Sequence, residues 1–292
     1  MAFPSATTLV TFPRGSTEGG STVLTALQLD DGALGVITET TPFHPLDHSW
    51  PDQPGDRGTL DHEGSRMAVL DCVTGAAGPQ GEFATGAGIP VRRGDPDWAW
   101  LAVHVVEPCV DPAELVGRPV VLRVDAQRRT ALSAAHTGCH LLAFALNEAL
   151  AKRWSKPART DALGTPDFDA VAMDSSRMDE HASTDRYRIG KSLRKKGFGP
   201  EGLREALPEI ADRVNARLAE WIAADAPVRI DAQGPELTAR RRWVCELPHG
   251  TASVDCGGTH LARLGELASL TTSLSLSEDG TELVAVTTPK RA

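Results

Sequence analysis

Two short segments of the chain each carry a pair of side chains that bind soft metal ions. In HTGCH, three residues separate His136 from His140. In CGGTH, Cys256 and His260 have the same spacing. Residues i and i+4 share one face of a helix, so the two imidazoles of the first pair can point at one spot. If both pairs bind one ion, the fold must bring together segments with 115 residues between them.

The residue types around these pairs narrow the kind of metal site. Zinc takes imidazole nitrogen and thiolate sulfur together in tetrahedral sets. HTGCH lacks the glutamate of H-E-x-x-H, which rules out the metalloprotease motif, and the long separation excludes a small zinc finger. Gly257 and Gly258 allow a sharp backbone turn, so that Cys256 and His260 can face the same way. A single histidine pair would be a weak indication, but two pairs favour a metal site.

Three other side chains of the same types are predicted to have no metal-binding role. His44 and His48 also lie four residues apart, but Pro45 and two prolines close by disfavour a helix there. We expect both to be solvent-facing loop histidines. Cys139 precedes two leucines and is predicted to be a small, buried apolar side chain.

The composition is that of a globular protein. The 292 residues correspond to one or two domains, and 41% hydrophobic with 24% charged residues is ordinary. No apolar run approaches the roughly 18 residues of a membrane helix, and the N-terminus lacks the pattern of a signal peptide. The odd number of sparsely spaced cysteines, five in all, favours reduced thiols. We therefore expect a cytoplasmic protein with no membrane partner.

The order of predicted elements indicates an α+β fold with two domains. Short apolar runs separated by turn residues fill the first third, and Asp30-Asp31-Gly32 is predicted to be a hairpin turn. Further predicted strands are SRMAVLDCV, WAWLAVHVVEP and PVVLRVD. The pattern predicts a small β-barrel-like domain at residues 1–118 and an α+β domain with the metal site at residues 119–292.

The second predicted domain combines two helices with strands. Apolar residues recur at helical spacing from Ala131 to Trp154, and a second helix is predicted to begin at Pro208, a residue suited to a first helical position. Residues 157–200 between them are polar and predicted to be a loop. RRWVCEL and ASVD are predicted strands around a Pro-His-Gly turn, and Asp279-Gly280 is the predicted turn of a closing hairpin.

The segments HTGCHLL and DCGGTHLARLGEL resemble the alanyl-tRNA editing proteins of the AlaX type, freestanding relatives of the editing domain of alanyl-tRNA synthetase. The family pattern is H-T-A-x-H-L-L, followed far downstream by C-G-G-T-H-V and T-G-E-I-G. The matching residues are His136, Thr137, His140, Leu141 and Leu142 in the first motif, and Cys256, Gly257, Gly258, Thr259, His260, Gly265 and Glu266 in the second.

Four further segments carry the same resemblance, which extends from about residue 30 to residue 267. RVDAQRR is similar to the family's I-D-x-x-R-R, and RVNARLAEWIAADAPV to its V-N-x-x-I…P-V segment. TPFHP and DQPGDRG are similar to T-x-F-Y-P and G-G-G-Q-P-x-D-x-G. The chain departs from the pattern at residues 42–58, where a longer stretch, LDHSWPDQPG, has no glycine triplet, and in its long polar segment at residues 157–200.

The resemblance implies a zinc-dependent deacylase that hydrolyses the ester between an amino acid and the 3′ ribose of tRNA. The implied substrate is serine, and also glycine, wrongly attached to alanine tRNA. Because no synthetase signature accompanies the editing-like region, we expect the protein to act in trans, and a monomer is favoured. The implied metal ligands and catalytic residues are His136, His140, Cys256 and His260. Zinc can polarise a carbonyl and activate water. Because four protein ligands leave no position for water, either one ligand is loose or the ion holds the substrate instead.

The resemblance also implies a set of substrate contacts: Thr41, Gln53, Gly257, Gly258 and Thr259. Thr41 matches the threonine of T-x-F-Y-P and would read the hydroxyl of serine, since a site that hydrogen-bonds a hydroxyl discriminates strongly against its absence. The alternative is a threonine that simply ends a strand. Gln53 takes the place of the glutamine in the family's loop.

A basic segment interrupts an otherwise acidic chain of net charge −9. It contains Lys191, Arg194, Lys195 and Lys196. Such a cluster is suited to contact the phosphates of tRNA, but solvent-exposed basic loops are also common.

Two alternatives to the editing enzyme remain open at the level of sequence. The altered stretch at residues 42–58 is compatible with a hydrolase of another aminoacyl ester, or of tRNA carrying a non-standard amino acid. A closed site of three histidines and one cysteine is also compatible with a non-catalytic, zinc-stabilised RNA-binding module.

Overall fold

A computed structural model describes residues 3–29, 32–107 and 111–292 of the chain. The fold is α+β, and it divides into two compact units. Unit 1 comprises residues 1–129, 232–241 and 257–259, and unit 2 comprises residues 130–231, 242–256 and 260–292. The domain boundary at residues 118–119 stays a prediction.

Unit 1 is built around a closed barrel. Its elements are β1 (Leu9–Val10), β2 (Glu18–Gln28), β3 (Leu34–Thr38), β4 (Thr40–Thr41), β5 (Gly58–His62), β6 (Ser65–Ala77), β7 (Phe83–Thr85), β8 (Ala99–Val106), the short helix α1 (Pro112–Leu115) and β9 (Pro119–Val124). Six strands follow one another in the order β5-β9-β2-β3-β8-β6, and β6 pairs with β5 to close the ring. The predicted barrel is therefore confirmed, with β7 added outside the ring on β6.

The barrel strands follow the apolar alternation of the sequence. In β6, the side chains of Met67 and Val69 are buried while those of Arg66, Ala68 and Leu70 are exposed, as expected for a strand with one face on a core. The predicted hairpin is confirmed by the antiparallel pairing of β2 with β3, from Val23 opposite Thr38 to Gln28 opposite Leu34. Residues 30 and 31 of its predicted turn lie outside the described residues.

Close backbone contact explains one barrel glycine. A Cβ atom at Gly58 would lie 2.0 Å from the carbonyl oxygen of Arg123, because β5 runs directly against β9 at this point. No side chain larger than hydrogen fits there without moving one of the two strands. Gly58 therefore fixes where the stretch at residues 42–58 joins the barrel.

Unit 2 places helices against antiparallel sheets. Its elements are α2 (Ala126–Leu150, whose first turn belongs to unit 1), α3 (Phe168–Ala172), β10 (Met173–Met178), β11 (Ser183–Arg188), α4 (Lys191–Lys195), α5 (Leu203–Ala223), β12 (Val228–Ala232), β13 (Arg241–Leu247), β14 (Gly250–Asp255), β15 (Leu267–Leu276) and β16 (Glu282–Arg291). One sheet has the order β10-β11-β16-β15 and the other β12-β13-β14. The predicted hairpin turn at Asp279-Gly280 joins β15 to β16.

Both predicted helices exist, with different starting points. The first begins at Ala126 and ends at Leu150, where a 3-10 turn follows, and the carboxylate of Asp125 accepts a hydrogen bond from the backbone of Arg128 in its first turn. The second begins at Leu203, so the prediction that Pro208 starts it was wrong. Pro208 lies inside the helix on its exposed side, where water can satisfy the carbonyl that proline leaves without a donor.

The prediction of a loop at residues 157–200 was wrong in part, because α3, β10, β11 and α4 all lie within it. In β11 the inward-facing side chains are Ser183, Asp185 and Tyr187. Two of these three positions are polar, so the strand lacks the apolar alternation that identifies a half-buried strand in a sequence. Antiparallel pairing with β10 and β16 on either side holds it in the sheet.

One acidic side chain of this region has a strongly raised pKa. Burial raises the pKa of Asp169 to about 7, although the hydroxyl of Tyr187, which donates to its carboxylate at 2.9 Å, acts in the opposite direction. The carboxylates of Asp185, Asp167 and Asp161 raise the pKa further. Ionised Asp169 is therefore destabilising in the folded protein.

We expect Asp169→Asn to stabilise the protein above pH 7 and to have little effect near pH 4. A carboxyl whose folded pKa is raised binds its proton more tightly in the folded state, so the wild-type free energy of unfolding falls as pH rises from about 4 to about 7. Three pKa units at about 1.4 kcal/mol each set an upper limit of about 4 kcal/mol. Urea unfolding at pH 4.5 and pH 8 measures the difference, and an equal effect at both pH values would contradict it.

No helix among the described residues is both long and apolar enough to cross a membrane.

Candidate metal centre

The four predicted ligands converge within unit 2. One ligand atom from each of His136, His140, Cys256 and His260 lies within 4.8 Å of the others. The Sγ atom of Cys256 is 3.4 Å from Nε2 of His136 and 3.3 Å from Nε2 of His260. The structure thus brings together two segments that are far apart in sequence.

Regular elements position three of the four side chains. His136 and His140 are one turn apart on α2, a helix whose other faces are largely buried, and their ring centroids are 4.9 Å apart. Cys256 directly follows β14, which is paired along its length with β13. Because these elements are anchored by packing and by strand pairing, the ligand atoms are held in place before any ion binds.

Close approach of α2 to the neighbouring sheet depends on Gly138, between the two histidines. A Cβ atom at this position would lie 2.8 Å from a methyl group of Leu270 on β15 and 3.6 Å from a methyl group of Thr287 on β16. A larger residue would push the helix away from the sheet or displace Leu270. The glycine of HTGCH therefore serves helix packing.

The two histidines of α2 are neutral, as metal ligands must be. Burial lowers the pKa of His136 to about 3. Burial also lowers the pKa of His140 well below its ordinary value, and the neighbouring His136 lowers it further. An imidazole that stays unprotonated at pH 7 keeps a nitrogen lone pair available for coordination.

A buried polar atom tests whether a metal fits. The Nε2 atom of His140 is buried and has no hydrogen-bond partner within the described ranges. Leaving such an atom unsatisfied costs free energy, and a metal ion bound to it would remove that cost. Three imidazoles and one thiolate are a donor set that zinc binds. The residues present therefore fit a zinc ion.

The hydroxyl group of Thr137 supports the ligand His260. Oγ1 of Thr137 accepts the backbone N–H of Leu261 at 3.1 Å and lies 3.3 Å from Nδ1 of His260. When Nδ1–H donates to this oxygen, Nε2 of His260 is left with its lone pair towards Cys256. The threonine of HTGCH is therefore a supporting residue for the ligand set.

An aromatic wall closes one side of the cluster. The ring of Trp243, which is fully buried on β13, lies 5.2 Å from the ring of His140 and 6.0 Å from that of His260, centroid to centroid. Phe144 stacks on the same tryptophan at 6.4 Å. These rings shield the histidines from water, which agrees with the depressed pKa values. Trp243 is an apolar strand residue, which carries no ligand signal in the sequence.

The predicted substrate contacts lie in unit 1. The side-chain amide of Gln53 donates to Oγ1 of Thr259 at 2.9 Å and accepts the backbone N–H of Thr259 at 2.9 Å. Both polar ends of this buried glutamine are therefore used to hold the residue that directly precedes His260 in the chain. Gly257 has open space around the position that a Cβ atom would take. That Gln53, Gly257, Gly258 and Thr259 contact a substrate stays a prediction.

Thr41 is buried, and its hydroxyl has two partners. Its Oγ1 accepts the backbone N–H of Phe43 at 3.0 Å and lies 2.8 Å from Nε2 of His104. The other ring nitrogen of His104 is 2.8 Å from the carbonyl oxygen of Val36. Recognition of a serine hydroxyl by Thr41 stays a prediction.

The prediction of solvent-facing histidines at residues 44 and 48 was wrong. His44 is buried and its ring packs edge-on against Phe12, while His48 is half-buried and stacks on Trp100 at 5.5 Å. Aromatic packing inside unit 1 accounts for both burials. Neither belongs to a group of potential metal ligands within the described part of the chain.

The prediction that Cys139 is a buried apolar side chain also needs correction. It is half-buried, and its thiol donates to a carboxylate oxygen of Asp185 at 3.4 Å. Asp185 lies on the polar strand β11. Because the sequence pattern did not predict this strand, it could not predict the contact either.

A buried ion pair secures the stretch that carries Gln53. The guanidinium Nε of Arg129 donates to Asp56 at 2.9 Å, and a terminal nitrogen of Arg129 donates to the carbonyl of Pro42 at 2.8 Å. The backbone N–H of His44 donates to the same carboxylate at 2.5 Å. These bonds tie both ends of residues 42–56 to the first turn of α2. The resemblance of RVDAQRR and DQPGDRG to family segments was the only sequence signal for this pair.

The predicted phosphate-contacting residues lie apart in sequence from the ligand cluster, on α4 and just after it. The side chains of Lys191, Arg194, Lys195 and Lys196 are all exposed.

Comparison with known proteins finds similarity to alanine–tRNA ligases, and no family model matches the chain. The alanine–tRNA ligase of Gluconobacter oxydans (strain 621H) is 25% identical over 251 residues, covering 85% of this chain and 24% of that protein. That of Frankia casuarinae is 28% identical over 255 residues, covering 82% of this chain and 22% of that protein. The alanine–tRNA ligase of Caldivirga maquilingensis is 24% identical over 251 residues, covering 80% of this chain and 21% of that protein.

The chain thus spans less than a quarter of the length of the relatives it matches. The matched region nevertheless covers at least 80% of this chain in all three comparisons. The chain is therefore similar, over most of its length, to one segment of alanine–tRNA ligases, at about 25% identity.

Proposed function

We propose that this protein is a zinc-dependent aminoacyl-tRNA deacylase that removes serine, and also glycine, from wrongly charged alanine tRNA, acting in trans. The observation that carries the proposal is the convergence of three histidines and a cysteine from two distant segments. Similarity to alanine–tRNA ligases supports the choice of alanine tRNA, since that tRNA is what the names of those proteins describe.

His136, His140, Cys256 and His260 would hold the zinc ion. When bound, zinc supplies a Lewis acid that polarises an ester carbonyl and lowers the pKa of a nearby water. The protein's own groups prepare the site. The two histidines on α2 stay neutral, Thr137 orients the ring of His260, and Trp243 excludes water from one side. A dry site strengthens every electrostatic interaction made within it.

Discrimination between seryl and alanyl esters needs a group that recognises a hydroxyl. Thr41 is the proposed reader, and its hydroxyl already lies in a hydrogen-bonded pair with His104. The buried amide of Gln53 and the segment from Gly257 to Thr259 are proposed to lie at the aminoacyl end of the tRNA. The exposed cations on and after α4 are proposed to contact its phosphates.

A second candidate function is hydrolysis of a different aminoacyl ester, including tRNA charged with a non-standard amino acid. The observation that favours it is the composition of residues 42–58. This stretch lacks the glycine triplet of the alanyl-tRNA editing proteins and contains an exposed tryptophan, Trp50. A bulky side chain there would change the space available to an aminoacyl group.

A panel of substrates separates these functions. The purified protein is incubated with Ser-tRNA-Ala, Gly-tRNA-Ala, Ala-tRNA-Ala and free aminoacyl esters, and release of the amino acid is followed over time. The proposal predicts fast release from the first two and slow release from the cognate Ala-tRNA-Ala. Equal release from all charged tRNAs, or release from free esters alone, would favour the second candidate. No release from any substrate would leave only a zinc-stabilised binding module.

A further inference from the structure

The exposed cations of α4 have no acidic partners in the described structure. The side chains of Lys191, Arg194, Lys195 and Lys196 form no ion pair with any residue that the structure describes. Their charges are therefore not neutralised locally.

Several arginines elsewhere on unit 2 do have acidic partners. Arg186 pairs with Glu282 and Arg188 with Asp174, only a few residues before α4. Four more exposed or half-exposed pairs of this unit are Arg217–Glu148, Arg229–Glu246, Arg242–Asp255 and Arg263–Asp225. In a chain of net charge −9 carboxylates are plentiful, yet the four cations between residues 191 and 196 have none within ion-pair distance among the described residues, which leaves their charges available to an anionic partner.

A second segment adds a cation to this surface. Trp154 and Phe198 form an antiparallel bridge, and the backbone N–H of Ser155 donates to the carbonyl of Gly197 at 2.9 Å. Lys156, which is exposed, therefore lies beside the end of α4, and its Nζ atom donates to the carbonyl of Lys195 at 3.3 Å. An ammonium group has three donors, so this bond leaves two for a ligand.

We propose that Lys156 joins Lys191, Arg194, Lys195 and Lys196 in one surface that binds the phosphate backbone of RNA, and that on this protein the RNA is tRNA. Several uncompensated cations, brought together from two chain segments, match the repeated negative charges of such a backbone. The identification of the RNA as tRNA rests on the proposed function, whereas the binding of a polyanion rests on the charges alone.

Lys156→Glu tests the proposal most directly, because this residue lies outside the basic segment and only the fold assigns it to the surface. Affinity for an alanine tRNA transcript is measured between 50 and 300 mM salt. The slope of log affinity against log salt should become shallower by about 0.7 to 0.9 for each phosphate that the protein no longer neutralises. We expect weaker binding and a shallower slope for Lys156→Glu, and a larger decrease for the variant with Ala at 191, 194, 195 and 196.

Lys290→Glu is the matched control. Lys290 is exposed on the same unit, near the far end of β16 and eight residues after Glu282, the partner of Arg186. At about 3.3 Å per residue it lies roughly 26 Å from that partner along the strand. Lys290→Glu changes the net charge by the same amount as Lys156→Glu. Because it does so away from the proposed surface, it should leave the slope unchanged. Thermal unfolding of each variant identifies effects that come from loss of folding.

The outcomes separate the surface from the enzyme. If Lys156→Glu folds normally and binds tRNA like Lys290→Glu, the proposed surface is wrong even where deacylation is observed. If Lys156→Glu, unlike Lys290→Glu, makes the slope shallower while no charged tRNA is hydrolysed, the surface stands and the proposed function fails. Binding to vesicles of phosphatidylcholine and phosphatidylserine that is lost in the variants, with tRNA binding unaffected, would overturn the RNA assignment in favour of a membrane surface.

Discussion

His136→Ala is expected to lower the rate of deacylation by at least about 100-fold and to lower the zinc content of the purified protein. The substitution removes one of four donors that converge within 4.8 Å. Mutation of a residue that only supports a metal ligand typically lowers metal affinity or activity by about 10- to 100-fold, so loss of a ligand itself should have a larger effect. Cys256→Ala, which removes a donor from the other segment, should have an effect of the same size. Single-turnover deacylation and metal analysis of the same preparations measure both quantities.

The double variant shows whether the two segments act as one site. Residues that act as a unit give strongly non-additive effects, so His136→Ala with Cys256→Ala should be little worse than either change alone. His249→Ala is the control, because this histidine is exposed and its partner is Glu220 on α5. Multiplicative losses in the double variant, or normal zinc content in His136→Ala, would contradict a single shared site.

Asp56→Ala is expected to lower the free energy of unfolding by about 3–5 kcal/mol, the cost of leaving one member of a buried ion pair without its partner. The side chains of Asp56 and Arg129 are only 1% and 6% exposed. The change leaves the guanidinium of Arg129 buried, and it also removes the acceptor for the backbone N–H of His44. Urea denaturation measures the loss.

Two further variants show that burial causes this effect. Asp174→Ala removes the partner of Arg188 from an exposed pair, and such pairs contribute at most about 1 kcal/mol. Asp56→Leu combined with Arg129→Met removes both buried charges, so it should destabilise less than Asp56→Ala. A loss for Asp56→Ala as small as that for Asp174→Ala would show that the pair is not buried in solution.

Local patterns in the sequence predicted most of the barrel and both long helices. In β6, β8 and β9 apolar residues either alternate with polar ones or form a short continuous run, and both patterns are typical of buried strands. In α2, leucine and alanine recur at helical spacing. The polar strand β11 was not predicted, because its buried face carries Ser183 and Asp185. Their partners come from other segments, which a local pattern cannot contain.

The candidate site shows the same division. Four ligands could be proposed from their spacing, since a helix or a tight turn fixes which side chains share a face. The groups that hold them could not be found in this way. Trp243 is an apolar strand residue, and the pairing of Gln53 with Thr259 joins positions 206 residues apart. Buried histidines such as His44 were mistaken for solvent-facing ones, because prolines exclude a helix but do not determine burial.

Deacylation of Ser-tRNA-Ala before chelation, after chelation and after zinc is restored tests the central claim most directly. The same samples are followed by circular dichroism, so that loss of activity is distinguished from unfolding. The protein should lose activity while staying folded, and about one zinc ion per chain should restore it, because a core of this size does not depend on the metal for folding. A protein that keeps full activity without metal, or that unfolds on chelation and never hydrolyses the ester, would contradict the claim that these four side chains form a catalytic metal centre.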